Sequence, residues 1–118
     1  MENDLHLVLS VRLFTDRKCF GPGVAQLLHA VEEHHSLRAA AQSMEMAYSK
    51  AWTIMKNAEK GLGVKLLSSS TGGKHGGGAA LTEEGRRILT AYDSYCRKLR
   101  AYGQELLAEE FSFYGEWQ

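Results

Sequence analysis

Eight consecutive residues of the 118-residue chain, Thr71-Gly72-Gly73-Lys74-His75-Gly76-Gly77-Gly78, include five glycines. Glycine loses more backbone freedom than any other residue on entering a helix or strand, so this stretch reads as a loop. The rest of the chain has to be organised around it. Short apolar segments flank it, Val64-Lys65-Leu66-Leu67 before and Ala79-Ala80-Leu81 after. Two such segments joined by a glycine-rich connection predict a β-hairpin. A nucleotide-binding P-loop is excluded, because no Gly-Lys-Ser/Thr follows the glycines and no helix starts there.

Upstream of the hairpin the pattern changes twice. Leu5, Leu7, Leu9, Val11 and Leu13 alternate, which predicts a half-buried strand over 5–13. Gly21-Pro22-Gly23 then breaks the chain, and Val24, Leu27, Leu28 and Val31 follow the spacing of an amphipathic helix that ends near His34 and His35. Ser36 is suited to cap a short helix from Leu37 to Ser43, whose Ala39-Ala40-Ala41 lets a second helix approach closely. Met44-Glu45-Met46 leaves room only for a tight turn. A third helix is expected from about Ala47 to Lys60, stopping at Gly61 and Gly63.

At 100° per residue the third helix separates into two faces. Ala47, Ala51, Ile54, Met55 and Ala58 form the apolar one. Ser49, Thr53, Lys56, Asn57 and Lys60 form the polar one, with Lys50 and Trp52 on its borders.

Downstream, Thr82 is placed to cap a final helix, with Glu83 and Glu84 near the positive end of its dipole. That helix can run from 82 to about 110, roughly 40 Å. Ile88, Tyr92, Tyr95, Leu99, Tyr102 and Leu106 recur at spacings of 4, 3, 4, 3 and 4, the seam of a coiled coil. A small domain cannot easily cover so long a helix by itself. The expectation is a homodimer joined along the seam, although the three tyrosines could instead pack on the chain's own core. Phe111, Phe113, Tyr114 and Trp117 form an aromatic tail.

Strand, helix, helix, turn, helix and hairpin in that order predict a mainly α protein with a small β wing, a winged helix-turn-helix. Residues 1–81 would form the DNA-binding part. Residues 82–118 would supply the dimerisation helix and tail within the same structural unit.

Net charge is zero, with 14 basic and 14 acidic residues, but the distribution is uneven. Residues 47–81 hold Lys50, Lys56, Lys60, Lys65 and Lys74 against Glu59 alone, a local surplus of four positive charges between acidic flanks. A basic, hydrogen-bonding helix face is what major-groove recognition requires. Ser49, Thr53, Lys56 and Asn57 could reach base edges or phosphates, and Lys50 and Lys60 are better placed for phosphates. Lys74 at the wing tip, with Thr71, Gly72, Gly73 and His75, gives a backbone able to lie along a phosphate chain. Ser36, Arg38, Tyr48 and Trp52 complete the candidate surface, although helix packing is the favoured use of the Tyr48 and Trp52 rings.

Three segments also resemble a known family. Ser36-Leu37-Arg38-Ala39-Ala40-Ala41, Met46-Ala47-Tyr48-Ser49-Lys50-Ala51-Trp52 and the run from Thr71 to Thr82 look like the N-terminal winged helix of the molybdate-dependent ModE regulators, a domain related to the LysR type. The resemblance covers about residues 5 to 105. It implies a homodimer joined through the terminal helix, with the third helix and wing on double-stranded DNA. His75 interrupts what is usually an unbroken glycine run. The sequence ends where the family's molybdate-binding domains would begin. Molybdate sensing is therefore not carried over by the resemblance, and a signal would come from a separate effector protein or be absent.

Other chemistry finds little support. Glu32, Glu33, His34 and His35 are adjacent on a helix and point about 100° apart, poor geometry for a metal. No nucleophile–base arrangement stands out, so neither an enzyme nor a cofactor is expected. Cys19 and Cys96 form no CxxC pair and read as free thiols of a cytoplasmic protein. No apolar run reaches the roughly 20 residues of a membrane span, and the acidic start does not resemble a secretory signal. The rival expectation is a winged helix used as a protein-interaction module, which the neutral charge and aromatic tail favour.

Overall fold

The computed structural model describes residues 4–70 and 78–118. Phe20, Leu27, Leu28, Val31 and Leu66 are its largest fully buried side chains. They place the core on the inner face of the first long helix, α1 (Pro22–His34), which carries six buried residues from Val24 to Val31. His35 ends α1 in the left-handed region at φ 64°, and Ser36 opens α2 (Leu37–Ser43) by accepting a 2.9 Å hydrogen bond from the Ala39 amide. Ala40 and Ala41 are buried, so the alanine run brings α2 close to its neighbours as expected. Glu45, at φ 53°, makes the turn into α3 (Tyr48–Leu62).

The third helix runs two residues beyond its expected end. Gly61 is helical because its missing side chain makes room for Cys19, whose Cβ would lie 2.6 Å from a Cβ at this position. Gly63 supplies the stop, at φ 77° with its amide bonded to the Glu59 carbonyl. The hairpin strands β3 (Leu67–Ser70) and β4 (Gly78–Leu81) are antiparallel, with Leu67 opposite Leu81 and Ser70 opposite Gly78. β3 therefore begins later than the apolar run suggested, and Val64 and Lys65 are connecting chain. Thr82 caps α4 (Glu83–Glu110) by accepting from the Gly85 amide at 2.9 Å, while its hydroxyl donates to the Lys65 carbonyl at 2.6 Å. One threonine thus starts the last helix and fixes the base of the wing. A 3₁₀ helix, Ser112–Trp117, organises the aromatic tail.

The strand expected over 5–13 is not formed. Only Leu13–Phe14 (β1) pair, with Lys18–Phe20 (β2), in a small hairpin that the sequence patterning did not anticipate. Alternation marks the faces of a strand, but a strand is completed by a ladder partner elsewhere in the fold. The preceding segment instead follows α4. The Tyr92 hydroxyl donates to the Val11 carbonyl at 2.6 Å, and the Leu7 side chain lies over Gly103, where a Cβ would collide with it.

α4 gives the molecule its length, 63 Å against 30 and 20 Å in the other directions. Its first turns dock on the core. Gly85 lies so close to the Leu66 backbone that a side chain there would clash with the carbonyl. Leu89 and Tyr92 are buried, the Tyr92 ring 4.9 Å from that of Phe20. His29 of α1 meets Asp93 of α4 at 2.7 Å.

Candidate nucleic-acid interface

α3 is held from behind and left open in front. Ala51, Met55, Ala58 and Glu59 are its buried residues, and Ser49, Lys50, Thr53, Asn57 and Lys60 are exposed. The two-faced reading of this helix is therefore the observed one except at Ala47, which the spacing places on the apolar face but which is exposed and precedes the helix as its N-cap residue. Thr53 turns its hydroxyl onto the Ser49 carbonyl at 2.9 Å, a local bond that leaves the oxygen lone pairs free to accept.

Glu59 changes the electrostatics of the basic stretch. It is the sole acid of residues 47–81, yet only 9% of its surface is exposed. One carboxylate oxygen accepts from the backbone amides of Leu66 at 2.8 Å and Leu67 at 3.2 Å, and the other lies 3.5 Å from the Lys56 ammonium. The negative charge is turned inward, so the outer face of α3 carries only cations. The same side chain ties the end of α3 to the start of β3, and hence fixes the wing relative to the helix. Glu59 entered the sequence reading only as a counter-charge. Its one sequence signal is its place next to Ala58 on the apolar flank of the helix.

Tyr48 and Trp52 depart from the packing expected of them. Both are exposed, Trp52 at 48%, and each carries a cation instead of a neighbouring helix. The Arg38 guanidinium lies 4.2 Å from the Tyr48 ring centroid, and the Lys56 ammonium 5.6 Å from that of Trp52. At helix i, i+4 spacing the two rings form a ridge along the edge of the polar face, joining α2 to α3. The cause is position: each ring lies at the border between the polar face of α3 and its buried face, which Ala51, Met55 and Ala58 supply.

Ser36 serves as a helix cap. Thr71, Gly72, Gly73, Lys74 and His75 lie outside the described residues. The hairpin base is held on the helical side by the Ala79 amide, which donates to the His35 carbonyl at 2.8 Å.

The expected seam on α4 divides. Tyr92 is 6% exposed and belongs to the chain's own core, and Ile88 packs at the edge of that core. Burial, then the hydrogen bond with Cys96, pushes the Tyr92 hydroxyl up from 10.0 to about 12, so it remains a protonated donor to Val11. Tyr95 and Tyr102 are exposed at 52% and 60%, Leu106 is also exposed, and Leu99 is half-buried. Leu13, Ile88, Ala91, Tyr92 and Tyr95 line an open apolar hollow of about 250 Å³ where the docked half of the helix meets the free half. Among the described residues, both cysteines are free, no cluster of three metal-ligating side chains occurs, and no helix is long and apolar enough to cross a membrane.

A short supporting helix, a tight turn, a helix with a cationic outer face and an antiparallel hairpin define a winged helix-turn-helix protein. Residues 24–86 match the bacterial regulatory helix-turn-helix proteins of the lysR family, and the chain belongs to that family. It is also similar to the transcriptional regulator ModE of Haemophilus influenzae, 35% identical over 89 residues, which are 75% of this chain and 33% of that protein. The DNA-binding transcriptional dual regulator ModE of Escherichia coli K12 is 33% identical over 89 residues, with 75% and 32% covered. The molybdenum-pterin-binding protein MopB of Rhodobacter capsulatus is 35% identical over 66 residues, with 56% and 24% covered. The chain thus spans about a third or less of the length of these relatives. The resemblance seen in the sequence is borne out.

Proposed function

We propose that this chain is a DNA-binding transcriptional regulator that acts in the cytoplasm, has no catalytic activity, and grips a palindromic site as a homodimer. Residues 1–81 would form the DNA-binding part and 82–118 the dimerisation helix. The observation that carries this reading is the outer face of α3. Lys50, Lys56 and Lys60 stand beside Ser49, Thr53 and Asn57, and the single acid within α3, Glu59, is buried. Such a face suits the major groove, where side-chain hydrogen bonds read base edges and lysines hold phosphates. The wing, with Lys74, would follow the adjacent backbone. Exposed Tyr95, Tyr102 and Leu106 on the free half of α4 support a second subunit, which would space two recognition helices about 34–36 Å apart.

The test is binding to a duplex selected from a random pool, titrated over a range of salt. Each phosphate contact releases counterions and steepens the salt dependence. Replacing Lys56 and Lys74 together is expected to weaken binding and to flatten the slope by about two contacts. An unchanged slope would remove both lysines from the interface.

One observation favours a second reading, a protein-interaction module. Phe111, Phe113 and Trp117 are exposed, although Phe113 and Trp117 stack edge-on at 5.1 Å. Failure to retain any duplex at low salt, with assembly intact, would favour that reading.

A further inference from the structure

The aromatic ridge of α3 is unusual on a surface built for a polyanion. A phosphate offers an indole no apolar partner, yet Trp52 leaves nearly half of its surface in solvent. The ring is not a remnant of core packing, since the buried side of the helix is supplied by Ala51, Met55 and Ala58. The two rings of the ridge are also not equivalent. Tyr48 has the Arg38 guanidinium 4.2 Å from its centroid, whereas the Trp52 contact is longer, 5.6 Å, with an ammonium that Glu59 also holds at 3.5 Å. Lys56 is thereby fixed beside the indole, and the remaining indole surface is left open.

Trp52 and Lys56 are separated by about 40° around the helix, and Trp52 and Ser49 by about 60°. An object that meets the polar groups of α3 therefore meets the indole too. In the major groove the apolar group on base edges is the 5-methyl of thymine. We propose that Trp52 is a specificity-determining residue that packs on thymine methyl groups in the major groove, with Lys56 anchoring the register beside it. This inference rests on the DNA-binding reading above and adds to it which base is read and by what contact.

Removing the methyl and nothing else provides the test. Starting from a duplex selected by the full chain from a random pool, each thymine is replaced in turn by deoxyuridine and the affinity measured. The wild-type chain is expected to lose about fourfold in affinity at one or two thymines in each half-site, the worth of one buried methyl group. Trp52→Ala should bind the unmodified duplex correspondingly more weakly and be indifferent to uridine at those positions. Trp52→Phe keeps an apolar ring without the indole N–H and should retain the sensitivity. Because Trp52 is exposed, thermal melting of both variants should match the wild type. A wild-type chain indifferent to every thymine replacement overturns the proposal, as does a Trp52→Ala variant that still senses the same methyl groups. A Trp52→Phe variant as insensitive as Trp52→Ala overturns it as well. Failure of the wild-type chain to retain any duplex overturns the DNA reading itself, and this inference with it.

Discussion

The two halves of α4 carry one sequence pattern and meet two different fates. From Ile88 to Leu106 the apolar spacing is unbroken, yet Leu89 and Tyr92 are buried in the chain's own core while Tyr95, Tyr102 and Leu106 face solvent. The division comes where the rest of the molecule stops. α1 reaches α4 at the contact of His29 with Asp93, and beyond that point the extended N-terminal segment lies alongside the helix, with Leu7 over Gly103. A heptad pattern therefore says that a helix has an apolar stripe. It does not say whose side chains cover the stripe. Leu89 makes the same point, since it lies off the 4-3-4 seam and is more deeply buried than any residue on it.

Three changes would break or sharpen this contrast, measured on one scale of fold stability. The largest effect is expected in the docked half. Leu89→Ala removes a buried leucine whose site cannot collapse fully, and should cost about 2–5 kcal/mol in urea unfolding. A cost below about 1 kcal/mol would mean that α4 is not anchored there.

Tyr92→Phe should cost less, about 1 kcal/mol, the worth of its hydrogen bond to Val11. This difference should also depend on pH. Folding raises the Tyr92 pKa from 10.0 to about 12, so the stability it contributes is full below pH 10 and is lost as pH rises toward 12. The gap between wild type and variant should narrow across that window, as followed by chemical unfolding at successive alkaline pH values. A constant gap would place the hydroxyl in water.

The smallest effect on the fold is expected in the free half. Tyr102→Glu should change the stability of one chain by no more than about 0.5 kcal/mol. Its consequence would appear in sedimentation, where the proposed dimer is expected to give way to monomer. A variant that still sediments as a dimer would move the subunit contact off this stripe.

Much of the helix-turn-helix was legible because its signals are local. Ser36 and Thr82 cap the helices they were expected to cap, and α2 has the limits its composition implied. The polar face of α3 follows from periodicity alone. The ring positions of Tyr48 and Trp52 were not legible, because both lie at a face boundary where the neighbouring helix decides between cover and exposure.

What the sequence determined by itself is the alternation of capped helices, the breaks between them and the sign of charge on each face, since caps, periodicity and glycine act within a few residues. Only the tertiary structure decided where that alternation leads. It turned Glu59 inward onto the Leu66 and Leu67 amides, laid the Val11 segment along α4 instead of in a sheet, and gave Tyr92 to the core. Each of these depends on partners distant in sequence. Burial free energy depends on what lies across the contact, and neither spacing nor composition records that.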